Sequence, residues 1–133
     1  IMDVPLEVSV VLGRTRKSIK EILEFAAQYG DKFQMTNSPM EAAKGADVLY
    51  TDVWASMGQE DEAEKRRKAF AGYQINDELM AEAHNDAMVL HCLPAHREEE
   101  ITEKVFEAHA KEIFEEAENR LHAQKAVMVK LMA

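Results

Sequence analysis

Short runs of β-branched and apolar residues alternate along the chain with longer stretches in which apolar positions recur every three or four residues. That alternation predicts an α/β domain built around a mostly parallel sheet. LEVSVVL at Leu6–Leu12 predicts a first strand, closed by Gly13, and the next stretch places Ile19, Ile22, Leu23 and Ala26 on one face of a helix from about Lys17 to Tyr29. Gly30 is a natural stop for it. Lys32–Thr36 predicts a short strand, and Ser38-Pro39 has the order of an N-cap followed by proline at the first helical position, with that helix ending near Gly45. DVLYT at Asp47–Thr51 predicts a buried strand, Gln59–Phe70 a highly charged helix, Asp77–Ala83 another helix and AMVLH at Ala87–His91 another strand. Pro94 breaks regular structure just beyond. Thr102–Ala108 and Glu118–Met132 are expected to finish the chain as helices.

Without internal repeat, low-complexity tract or linker, the expectation is a single domain over residues 1–133, a three-layer Rossmann-like α/β fold with a mostly parallel sheet. At that length a chain buries about two-thirds of its unfolded surface. Apolar residues are 47% and charged residues 31%, a globular balance, and no run is long and apolar enough to span a membrane. The start lacks the pattern of a signal peptide, so a cytoplasmic setting is expected. A net charge of −9 argues against nucleic acid as a partner. The single cysteine, Cys92, excludes an internal disulfide and leaves packing or chemistry as its use.

Ligands of open α/β sheets gather at the carboxyl ends of the strands. Two segments occupy that place: DVWASMGQE at Asp52–Glu60 and HCLPAHREEE at His91–Glu100. Asp52 ends an apolar strand, where a carboxylate either binds an ammonium group or bonds neighbouring amides as a turn residue. Cys92 is either a small buried hydrophobe or a thiol placed for chemistry. His91, Cys92 and His96 lack the common zinc spacing, so no metal is expected. In a third segment, EAENRLHAQKA at Glu116–Ala126, Arg120 is either a functional cation or the partner of Glu116 one turn earlier. His122 and Gln124 are expected to pack that helix against the sheet.

Together and in this order, the three segments resemble the signature stretches of ornithine carbamoyltransferases, as do ADVLYTDVW at Ala46–Trp54 and AFAGYQIN at Ala69–Asn76. The similarity runs over about 33–132 and is weak before Phe33. The resemblance implies the ornithine-binding, C-terminal lobe of an enzyme that needs no cofactor and moves a carbamoyl group from carbamoyl phosphate to the δ-amine of ornithine, giving citrulline and phosphate. That reaction has two demands. An alkylammonium of pKa ~10.4 must lose a proton before it attacks, and the tetrahedral oxyanion must be stabilised. By the resemblance, Asp52 contacts ornithine, Ser56 and Met57 face its amino and carboxylate end, and the backbone carbonyl of Leu93 accepts a hydrogen bond from the amine. Cys92 lies against the reacting amine without a covalent role, and Arg120 reaches the carbamoyl oxygen and phosphate. Ser56-Met57-Gly58 favours free ornithine over acetylornithine or putrescine. Glu98 departs from the pattern, since many relatives have glycine after the arginine that matches Arg97.

The family's first lobe carries a Ser-Thr-Arg-Thr-Arg phosphate cradle and a His-Pro carbamoyl contact, and its second opens on Gly-Asp-Gly-Asn-Asn. None of these occurs in the 133 residues, and GRTRKS at Gly13–Ser18 resembles the cradle only faintly. Two expectations follow from different classes. In the first, the chain is half of a carbamoyltransferase site, binding carbamoyl phosphate only with a complementary lobe and inactive in isolation. In the second, it is a non-catalytic folding or oligomerisation module. Homo-oligomerisation is expected, to cover apolar surface that the absent lobe would otherwise shield.

Overall fold

The structure, a computed structural model, describes residues 8–11, 20–55 and 63–132. Strand β1 (Val8–Val11) pairs in parallel with β2 (Phe33–Thr36), Val8 opposite Phe33 and Val11 opposite Thr36. Helix α1 (Lys20–Ala26) makes the crossover and tightens into a 3-10 helix at Ala27–Lys32. Gly30 lies inside that segment at φ 55°, a left-handed conformation that glycine adopts without cost. The regular helix therefore stops earlier than the sequence predicts. Leu23 and Ala26 of the predicted apolar face are half-buried, whereas Ile19, the side chain of Ile22 and the GRTRKS run lie outside the described part.

Helix α2 (Pro39–Ala43) starts as its sequence predicts, with Ser38 Oγ accepting the Glu41 N–H at 3.3 Å and Pro39 following the cap. A cap of this kind contributes about 1 kcal/mol. Strands β3 (Val48–Thr51) and β4 (Met88–His91) are parallel neighbours, Val48 opposite Met88 and Thr51 opposite His91. Between them in sequence come α3 (Ala63–Ala69) and α4 (Asp77–Glu82), the latter capped by Asn76, whose Oδ1 accepts the Leu79 N–H at 2.9 Å. Helix α5 (Glu103–Ala108) is capped by Thr102, and α6 (Ala110–Met132) closes the described chain. Among the described residues the strands form two parallel pairs, β1-β2 and β3-β4. The architecture is α/β and Rossmann-like. No described helix is long and apolar enough to cross a membrane.

The core gathers Leu49 and Val89 of the β3-β4 pair, Ile75 and Leu79, and Ile101, Val105, Phe106 and Ile113 from the last third of the chain. Three expectations change here. β3 is not buried throughout: Leu49 is enclosed, while Val48 and Tyr50 are 43% and 57% exposed. Strand alternation sends those two to the face opposite the core. α6 begins at Ala110 rather than Glu118, because Ile113, fully buried, anchors an earlier turn. His122 and Gln124 do not pack against the sheet. Both are exposed, and His122 pairs along its own helix with Glu118 at 3.3 Å.

Candidate functional site

Because β3 and β4 run parallel and in register, the residue after each emerges at the same sheet edge. Asp52 follows β3 and Cys92 follows β4. The Cys92 thiol donates to Asp52 Oδ1 at 3.2 Å, and the same oxygen accepts the Val53 N–H at 2.7 Å. Asp52 is thus at once a turn residue and a carboxylate presented beside a thiol. Burial pushes the Cys92 thiol above its ordinary range, and the hydrogen bond and charge of Asp52 add to that push. The thiol is therefore the protonated donor of the pair at neutral pH. The carboxylate is its acceptor.

The loop after Cys92 is fixed from beneath by a buried pair. His91 Nδ1 accepts the Leu93 N–H at 2.9 Å, which leaves Nε2 to carry the proton and donate to Glu100 Oε1 at 3.0 Å. Both side chains are fully buried. Glu100 Oε1 also accepts the His96 N–H at 2.6 Å. Burial opposes the charge of Glu100, but these bonds outweigh it and hold the carboxyl below its usual range. Leu93, at φ 52°, precedes a cis Leu93-Pro94 peptide bond. On the rim, Arg97 pairs with Glu103 at 2.9 Å and Glu107 at 2.5 Å and lies 4.8 Å over the Phe106 ring. Glu98, where the sequence departs from glycine, sits at φ 67°, and its Oε1 accepts the Glu103 N–H at 2.8 Å. A left-handed conformation costs a non-glycine residue about 1–2 kcal/mol, which that bond partly offsets. His96, Glu99 and Glu100 bring ligand-type atoms within 4.8 Å of one another, yet Arg67 already holds Glu99 at 2.8 Å and His91 holds Glu100.

The first half of α6 packs against β4, and the two elements enclose an open groove of about 500 Å³. Its lining includes Tyr50, Cys92, Glu116, Asn119 and Arg120. Arg120 is exposed, and no ion pair joins it to Glu116 or to another described acid. Arg120 lines the same groove as Cys92. Of the residues expected at the site, Asp52, Cys92, Leu93 and Arg120 fall at this edge, while Ser56 and Met57 lie outside the described residues. Tyr50, Glu116 and Asn119 were not expected. Two carried a signal nonetheless: Tyr50 is two positions from Asp52, on the same side of a strand, and Glu116 is one turn from Arg120.

A groove at the carboxyl ends of paired parallel strands, holding a carboxylate, a thiol and a free guanidinium, defines a small-molecule-binding domain of the Rossmann-like class. The family is narrower. Residues 2–131 match the family model for the aspartate/ornithine carbamoyltransferase Asp/Orn binding domain, and the chain belongs to that family. It is 54% identical over 112 residues to an ornithine carbamoyltransferase of Archaeoglobus fulgidus, covering 84% of this chain and 36% of that enzyme. To the one from Methanosarcina acetivorans it is 51% identical over 127 residues, covering 96% and 42%. Among solved structures, the anabolic ornithine carbamoyltransferase of Campylobacter jejuni superposes with a TM-score of 0.84 at 41% identity, covering 94% of this chain and 43% of that one. The chain thus spans well under half the length of these relatives.

Proposed function

We propose that this chain is the ornithine-binding part of an ornithine carbamoyltransferase. The observation that carries the proposal is the 3.2 Å contact of Asp52 with Cys92, which lines the same groove as Arg120. Asp52 holds the cationic substrate, with Ser56 and Met57 at its amino and carboxylate end. The δ-nitrogen lies against Cys92 and donates a hydrogen bond to the Leu93 carbonyl. Its excess proton passes to the sulfur as the thiol proton passes to Asp52, so the amine becomes neutral and no charged thiolate is left behind. The freed lone pair then attacks the carbamoyl carbon, the new C–N bond forms, and the bond to the phosphate oxygen breaks. Arg120 offsets the negative charge that develops on the carbamoyl oxygen and the departing phosphate. Free ornithine is the substrate we assign, in keeping with the names of the relatives described above.

Carbamoyl phosphate demands more cations than Arg120 supplies, so turnover needs residues outside these 133. The test mixes the chain with ornithine, carbamoyl phosphate and a separately produced carbamoyl-phosphate-binding lobe of a relative, and assays citrulline. Citrulline is expected from the complete mixture alone, and Asp52→Ala abolishes it. Absence of citrulline once the two proteins are seen to associate overturns the assignment.

A further inference from the structure

Glu116, Arg120 and Ala123 of α6 line the groove, and their spacings of four and three residues put them on one stripe of the helix. Ile113, three residues before Glu116 on that side, is fully buried, whereas Arg120 is exposed. The stripe therefore climbs from the core to solvent, and Glu116 stands at its inner end. Glu116 Oε2 is enclosed and has no hydrogen-bond partner among the described residues. A carboxylate oxygen withdrawn from water without a donor is destabilised, and a ligand N–H that reaches it removes that penalty. Asp52 is placed differently, because its Oδ1 already accepts from the Cys92 thiol and from the Val53 N–H.

The proposed reaction leaves a matching gap on the ligand. An alkylammonium carries three N–H donors. The δ-ammonium of ornithine meets two acceptors in that reaction, the Leu93 carbonyl and the Cys92 sulfur, and Cys92 lines the groove together with Glu116. One N–H is left without an acceptor, and one carboxylate oxygen of the same groove is left without a donor. The terminal torsion of a glutamate is broad, so a small rotation turns a carboxylate oxygen toward a donor in the groove. We propose that Glu116 is a further substrate-binding residue, its carboxylate accepting the third N–H of the δ-ammonium. Arg120 lies four residues on, about 6 Å along the helix axis, which separates the place of the cation from the place of the carbamoyl and phosphate oxygens. Glu116 thus selects an amino acid with a terminal cation over one of the same length without it. This assignment rests on the ornithine-binding reading.

Norvaline supplies the comparison, since it has the carbon chain of ornithine and no δ-nitrogen. Ornithine and norvaline are titrated by NMR into the 133-residue chain, Glu116→Gln and Glu116→Asp, with folding of each checked by circular dichroism. Glu116→Gln keeps the shape and removes the charge; Glu116→Asp keeps the charge and withdraws it by one methylene. Both are expected to weaken ornithine about tenfold, as loss of a charged hydrogen bond does, and to leave norvaline unchanged, and either variant alone suffices should the other not fold. Ornithine binding unmoved by Glu116→Gln, or weakened together with that of norvaline, overturns the role of Glu116 and leaves the ornithine-binding reading standing. Full ornithine affinity in Glu116→Asp also overturns it, because the carboxylate would then act only as a distant charge. If the folded wild type binds neither amino acid, the ornithine-binding reading fails and this assignment with it.

Discussion

Three consecutive acids, Glu98, Glu99 and Glu100, have three different fates: the first takes a left-handed turn, the second pairs with Arg67, and the third enters the core to meet His91. In the sequence they form one acidic run. Nothing local distinguishes Glu100, because its partner lies nine positions back across a loop. The pairing of Asp52 with Cys92, by contrast, was legible, since both follow apolar strands that a parallel sheet brings to one edge. Removing the Glu100 carboxylate by Glu100→Ala strands a buried imidazole N–H, at a cost of about 1–3 kcal/mol in chemical denaturation. The pair also sets a pH dependence. Its bonds hold the Glu100 carboxyl below its unfolded value of ~4.3. Its contribution is therefore full above that value and is lost as pH falls through the lower, folded one. Denaturation midpoints measured from pH 7 to pH 3 should fall more steeply in the wild type than in Glu100→Gln, and parallel curves would show that the pair contributes nothing.

At the scale of elements, the strands and caps were readable because their determinants are local: Ser38-Pro39 starts α2, and the β-branched runs become β1 to β4. What covers a strand face is decided by distant residues, which is why β3 is enclosed only at Leu49. The early start of α6 was missed for the same reason, since Ile113 is a core residue only once β4 and α5 are beside it. The helix is consequently uneven in what it contributes. Ile113 is fully buried, whereas Leu121, two turns on, is 58% exposed. Ile113→Ala should cost about 2–5 kcal/mol of stability, and Leu121→Ala less than about 0.5. Comparable losses at the two positions, read from urea midpoints, would mean that the second half of α6 is packed in solution.

At the scale of the whole molecule, Phe114, Leu121, Val127, Met128 and Leu131 leave an apolar run exposed along α6, and Val48, Tyr50 and Met88 leave another on the sheet. Exposed surface of that extent favours association, so the 133-residue chain alone is expected to dimerise, which light scattering over a concentration series checks. A monomer at every concentration would contradict this. Alone, the chain should also form no measurable citrulline. Robust turnover, with contaminating full-length enzyme excluded, would place a phosphate site within these residues and direct attention to Gly13–Ser18. The most direct test of the account asks only whether the edge shared by Asp52 and Cys92 recognises ornithine. In calorimetric titration of the isolated chain, ornithine should bind saturably with a Kd on the order of millimolar, and Asp52→Ala should abolish that binding. Ornithine bound equally well by Asp52→Ala, or not bound at all by the folded wild type, would contradict it.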